Sequence, residues 1–105
     1  MTKEQLFERV VRDRIALAKT ATGHSFYYLL DGLEKEGAVA LARRYIDPRN
    51  SQDLQEGLKI LKRTGLLRLS VEQTIIDFHE KGYIFSAAEA EAARERLRIV
   101  ELLVH

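Results

Sequence analysis

A chain of 105 residues with 46% apolar and 31% charged side chains is one soluble globular domain rather than a disordered segment. Its 17 Lys and Arg stand against 16 Asp and Glu, a net charge of +1, so no chain-wide attraction to nucleic acid or to an anionic membrane is expected. It has no cysteine, which excludes disulfides, zinc-thiolate and iron–sulfur sites and cysteine nucleophiles and fits a reducing, cytoplasmic location.

Three hydroxyl-headed helix starts organise the chain: Thr2-Lys3-Glu4-Gln5, Ser70-Val71-Glu72-Gln73 and Ser86-Ala87-Ala88-Glu89. Each carries Glu or Gln three residues after the cap, the spacing at which cap and side chain satisfy each other's backbone N–H groups. The first start predicts a helix from about Thr2 to Thr20. Leu6, Val10, Leu17 and Ala21 form its inward stripe, flanked by Phe7, Val11 and Ala18, and the pairs Glu8–Arg12 and Arg9–Asp13 lie outside. Gly23 ends it. The opening MTKEQLFERV lacks the apolar core of a signal peptide.

Ser25 is expected to cap a short second helix with Phe26, Leu29, Leu30 and Leu33 inward, broken at Gly37. A third helix runs from Ala38 to Ile46, burying Ala38, Leu41, Ala42, Tyr45 and Ile46. Asp47-Pro48 stops it, because a residue before proline is pushed out of the α region. After an Arg49–Ser51 loop, a fourth helix covers about Gln52 to Arg63 with Leu54, Leu58 and Leu61 inward, and Gly65 closes it. Leu66 to Leu69 is a short connection in which Leu67 and Leu69 could share one side of an extended segment. The fifth helix starts at Ser70, buries Val71, Ile75 and Phe78 and ends at Gly82. Phe85 precedes the Ser86 cap, placed to staple onto Ala90. The sixth helix runs nearly to the C-terminus through Ala90, Ala93, Leu97, Val100 and Val104. No apolar run is long enough to span a membrane. The expected architecture is all-α: a compact bundle of five or six helices whose long first and last members pack together to close it.

Chemistry is weakly marked. Metal ligation on a helix needs a second ligand three or four residues away, and His79 has Ile75, Ile76, Gly82 and Tyr83 there, while His24 has Tyr27 and Tyr28. His105 is terminal. Asp31, Asp47, Asp53 and Asp77 are scattered, and Glu91 and Glu95 share a face with Arg94 and Arg98. No two glycines form a phosphate-cradling loop. The expectation is a non-enzyme without metal or cofactor.

Two surfaces stand out for binding. Tyr27 and Tyr28 are adjacent, so at least one belongs at the surface or at a helix seam, where tyrosine favours interfaces. Ile99, Leu102 and Leu103, with Val100 and Val104, make the end of the sixth helix apolar nearly all round, which calls for cover by the chain itself or by another. The competing surface is basic: Arg43 and Arg44 with Arg49 after the third helix, and Lys59, Lys62, Arg63 and Arg68 on and after the fourth. If those two helices were antiparallel, the groups would lie at opposite ends. Leu54 to Asp77 makes a poor helix-turn-helix: six residues separate its helices where about three or four are wanted, and its second helix would present Glu72, Gln73 and Asp77 to phosphates. A winged-helix version lacks its second wing strand. A small-molecule site between helices is a third class for which no residue names a ligand.

The segments GAVALARRYI (37–46), LKRTGLLRLSVEQTII (61–76) and FSAAEAEAARERL (85–97) resemble an uncharacterised small bacterial helical domain found alone or near nuclease-like genes of mobile or defence elements. The resemblance covers about two-thirds of the chain, excluding the first helix. It differs in lacking a tryptophan in the fourth helix and in its Pro48–Asp53 loop. It implies a fold and no catalytic residue, and the gene context implies an accessory role around nucleic acid. The expected function is therefore a helical interaction module that binds a protein partner or itself, the alternative being an accessory nucleic-acid-binding module.

Overall fold

The computed structural model describes residues 1–50 and 56–104. Among these the chain forms six α-helices and no strand: α1 (Lys3–Thr22), α2 (Tyr27–Glu36), α3 (Ala38–Ile46), α4 (Glu56–Arg63), α5 (Val71–Glu80) and α6 (Ala87–Leu103), with 3-10 turns at Pro48–Asn50 and Leu67–Leu69. The first and last helices are the longest, 20 and 17 residues. They are not each other's main partners, as the sequence suggested. α5 lies between them, packed along α6 and against α1 and α3. The expected residues Gln52 and Leu54 of the fourth helix, with Asp53, Ser51 and His105, lie outside the described residues.

Caps hold where hydroxyls announced them. Thr2 Oγ1 accepts from Gln5 N–H at 3.0 Å while Gln5 Oε1 accepts from Thr2 N–H at 2.8 Å, and Ser86 and Glu89 make the same reciprocal pair at 3.1 and 3.0 Å. At Ser70 the cap accepts from Gln73 N–H at 3.0 Å, but the Gln73 side chain turns away and donates to Asp77 at 2.9 Å. Each of these caps is worth about 1 kcal/mol. Gly65 (φ 72°) closes α4 by sending Leu66 N–H to Leu61 O at 2.7 Å and its own N–H to Lys62 O at 3.2 Å.

α1 buries Phe7, Val11, Ile15 and Ala18. This face sits about one residue on from the expected stripe, a rotation of roughly 100°. Leu6 and Val10 are only half-buried on its edge, and Leu17 and Ala21 are exposed. Phe7 sets the rotation. Fully buried, it meets Phe78 and Phe85 edge-on at 5.1 and 5.0 Å, joining α1 to α5 and to the start of α6. On the outer face Arg12 reaches Glu8 at 3.3 Å and Glu34 at 3.1 Å, whereas Arg9 and Asp13 make no ion pair among the described residues.

Ser25 does not cap α2. The cap position is Phe26, in left-handed conformation (φ 51°, ψ 38°), with no side-chain capping bond. Its ring is buried over Gly57, where an added Cβ would come within 2.9 Å of Phe26 Cδ1. α3 buries all five residues expected of it. Leu67–Leu69 is a 3-10 turn, not an extended segment; both of its leucines are half-buried beside α1, α4 and α5. Ile84 is left-handed (φ 65°) in a turn closed by Phe85 N–H on Tyr83 O at 2.7 Å, and His79 Nδ1 lies 2.9 Å from Phe85 O, so the α5–α6 corner is bonded from both sides.

α5 is buried almost all round: Val71, Thr74, Ile75, Ile76, Phe78 and also Glu72 are inside. The Glu72 carboxylate accepts from Arg96 Nε of α6 at 2.9 Å, with the two side chains 3% and 1% exposed. α5 therefore has little free surface to present. Glu72 faces the core, and Asp77 is held by Arg14 at 2.8 Å.

Two stability outcomes follow from this packing. Glu72→Ala leaves the Arg96 guanidinium buried without its carboxylate and is expected to cost roughly 3–5 kcal/mol, whereas the double change Glu72→Leu with Arg96→Met restores most of it. Urea unfolding of the three proteins measures this. Gly57→Ala should destabilise by about 1–3 kcal/mol through its clash with Phe26, although alanine is the better helix former. A thermal melt of Gly57→Ala that is unchanged or higher would show the ring to be movable.

Candidate functional site

The end of α1, the start of α2, and α4 and α5 enclose a cavity of about 390 Å³. Ile15, Ala18, Leu58, Leu61 and Val71 supply apolar walls, and Phe26 and Tyr45 add ring surface. This volume lies in the range of ligand pockets, roughly 300–1,000 Å³. Its mouth carries Tyr27 and Tyr28, 64% and 84% exposed, with rings 5.6 Å apart and inclined at 73°. Both tyrosines are therefore outside, where the sequence required only one. The reason is local: Phe26 takes the inward place at the helix start, and the next two positions swing out.

The polar groups of the wall are few. His24 Nδ1 accepts from Phe26 N–H at 3.0 Å. Its ring lies 4.7 Å from that of Phe26. Burial, and next the Glu72 carboxylate, push the Tyr45 phenol up to about 12, leaving it neutral at any ordinary pH. Glu56 and Glu72 are the only charged side chains among the described lining residues; their partners Arg63 (3.6 Å) and Arg96 (2.9 Å) do not line the cavity. A second hollow of about 510 Å³ lies between α1 and the α2–α3 corner, lined by Glu4, Glu8, Arg9, Arg12 and Asp13. Of these charges, Arg12 and Glu8 pair at 3.3 Å.

At the other apolar surface, Ile99 is half-buried while Leu102 and Leu103 are 66% and 67% exposed. Val100 and Val104 turn inward onto Leu58. None of the described residues covers the two leucines.

Several of the basic candidates face carboxylates. Arg43 is held by Glu89 at 2.8 Å, Arg44 by Glu36 at 2.7 Å, Arg49 by Asp47 at 2.6 Å and Arg63 by Glu56 at 3.6 Å. Lys59, Lys62 and Arg68 have no carboxylate within 4 Å among the described residues. Among the described residues α3 and α4 are not main packing partners. Asp47, bonded by the Arg49 side chain and backbone, is lowered to about 2. On α6, Arg94 meets Glu91 at 3.6 Å and Arg98 pairs with Glu95, the salt-bridged face the sequence implied. No cluster of three or more His, Asp or Glu suited to a metal occurs among the described residues. None of the described helices is long and apolar enough to cross a membrane.

Sequence reading missed the cavity and Arg96 altogether. The signal for Arg96 was available: it falls three residues after Ala93 and four before Val100, on the buried stripe of α6.

Arg43 provides a pH test of these ion pairs. Burial raises the Glu89 carboxyl, but its bonds to Arg43 and to Ser86 N–H outweigh this and hold it below the ordinary carboxylate value. Because the folded value is the lower one, the stabilisation is present at neutral pH and fades as pH falls through it. Arg43→Gln should therefore raise the Glu89 value in an NMR titration and lower neutral-pH stability modestly, with the difference from the parent protein shrinking in acid.

Compared with known proteins, the chain matches no family model, no curated protein and no solved structure.

Proposed function

We propose that the chain is a non-enzymatic helical interaction module that binds a protein partner or a second copy of itself. The observation that carries this reading is the pair of tyrosines at the cavity mouth, 64% and 84% exposed and packed edge-to-face on one another beside an apolar hollow. Exposed tyrosines next to a pocket supply large, low-entropy contact area, the chemistry of interface anchors. Leu102 and Leu103, 66% and 67% exposed, offer a second apolar contact. The nucleic-acid alternative is less favoured, because Arg43, Arg44 and Arg63 already face carboxylates and only Lys59, Lys62 and Arg68 remain to meet phosphate.

Light scattering across a concentration series tests self-association: a dimer that weakens at least tenfold on Tyr27→Ala with Tyr28→Ala, or on Leu102→Ser with Leu103→Ser, supports it. A photo-crosslinker at position 28, compared with one at exposed Lys35, tests a different partner. A strict monomer with no adduct specific to position 28 rejects the proposal. DNA or RNA affinity that falls steeply with salt would favour the alternative.

A further inference from the structure

The cavity has a chemistry as well as a shape. Its described walls hold two carboxylates, Glu56 and Glu72, each facing an arginine from outside the wall (Arg63 at 3.6 Å and Arg96 at 2.9 Å), and no lysine or arginine. Rings of Phe26, Tyr27, Tyr28 and Tyr45 make up much of the rest, and His24 Nδ1 is taken up by Phe26 N–H. Aromatic faces attract cations through their quadrupoles, and nearby carboxylates add to that attraction. An anionic ligand would find no positive group in the wall.

The rest of the molecule shows how this chain treats its rings. Lys3 sits over Tyr83 at 4.6 Å, Arg43 over Phe85 at 5.6 Å, Arg44 over Tyr45 at 5.6 Å and Lys81 over Phe78 at 5.8 Å. Phe7 is fully buried and Phe26 lies under His24. Tyr27 and Tyr28 are the two rings that are widely exposed and carry no cation of the chain among the described residues. Their planes meet at 73°, which gives the mouth two adjoining walls at a steep angle. Aromatic walls set at such angles enclose an alkylated ammonium, which is too weakly hydrated to prefer water and too bulky for a salt bridge. The apolar depth behind them, lined by Ile15, Ala18, Leu61 and Val71, suits the hydrocarbon stem of such a group.

We propose that the hollow between α1, α2, α4 and α5 is a binding site for an alkylated ammonium group on an apolar stem, held at the mouth by Tyr27, Tyr28 and Glu56. The site stands whether or not the protein-partner reading does. The same chemistry is offered by a free quaternary amine and by a trimethylated lysine side chain.

The test titrates the full chain with three probes of equal length, hexyltrimethylammonium, 1-heptanol and heptanoate, following the Tyr27 and Tyr28 ring signals by NMR. The cation should bind at least about three- to tenfold more tightly than the alcohol, and heptanoate most weakly. Glu56→Gln and Tyr28→Ala, both at exposed positions and checked by thermal melting, should each weaken the cation about three- to tenfold, and Glu56→Gln should leave the alcohol unchanged. Peptides carrying trimethyl-lysine or plain lysine separate the sources: selective binding of the trimethylated peptide assigns a protein-borne group, and binding of the free cation alone assigns a small amine. Equal affinity for cation and alcohol, preference for heptanoate, or no binding of any probe would overturn the site.

Discussion

One ion pair, Glu72 with Arg96 at 2.9 Å, ties the inside of this molecule together. Removing both groups from water is expensive, and their mutual attraction offsets that cost only in good geometry. A slip of α5 along α6 by one turn would separate them by about 5 Å and leave the buried Glu72 carboxylate without the Arg96 guanidinium. Such a pair therefore favours one register of the most extensive helix contact in the fold. Around it the apolar core is built in the ordinary way, with Phe7 meeting Phe78 and Phe85 where three segments converge.

The same carboxylate reaches the second layer of the argument, because Glu72 also lines the cavity and raises the Tyr45 phenol. The core and the candidate site share a residue. Backbone strain collects at the same border. Phe26 accepts a left-handed conformation so that its ring can lie over Gly57, and this choice throws Tyr27 and Tyr28 outward. Strain of this kind costs on the order of 1–3 kcal/mol and persists only where packing over-determines it. Here the buried ring, the close glycine and the His24 bond do so together. The second strained residue, Ile84, turns the chain between α5 and α6 and has no exposed aromatic beside it.

The exterior is electrically quiet for a chain that is 31% charged. Most arginines meet a carboxylate, and four rings hold one of the chain's own cations. Individually these exposed pairs contribute little. Collectively they leave few places with unspent chemistry, which is what makes the tyrosine pair and the two leucines of α6 stand apart.

The linear chain determined the helices, because caps, glycine stops and the single proline act on their own neighbours. Thr2, Ser70 and Ser86 mark starts, Gly23, Gly65 and Gly82 mark ends, and α3 matched its expected range and buried face residue for residue. Rotation was less legible: two stripes about 100° apart on α1 are both apolar, and only the partner Phe78 and Phe85 rings select the one with Phe7. The cavity was not legible at all, since it is the space left where four helices fail to meet, and no local pattern encodes a gap. Nor was the role of Arg96, whose carboxylate lies 24 residues away and becomes its neighbour only when α5 and α6 are laid side by side.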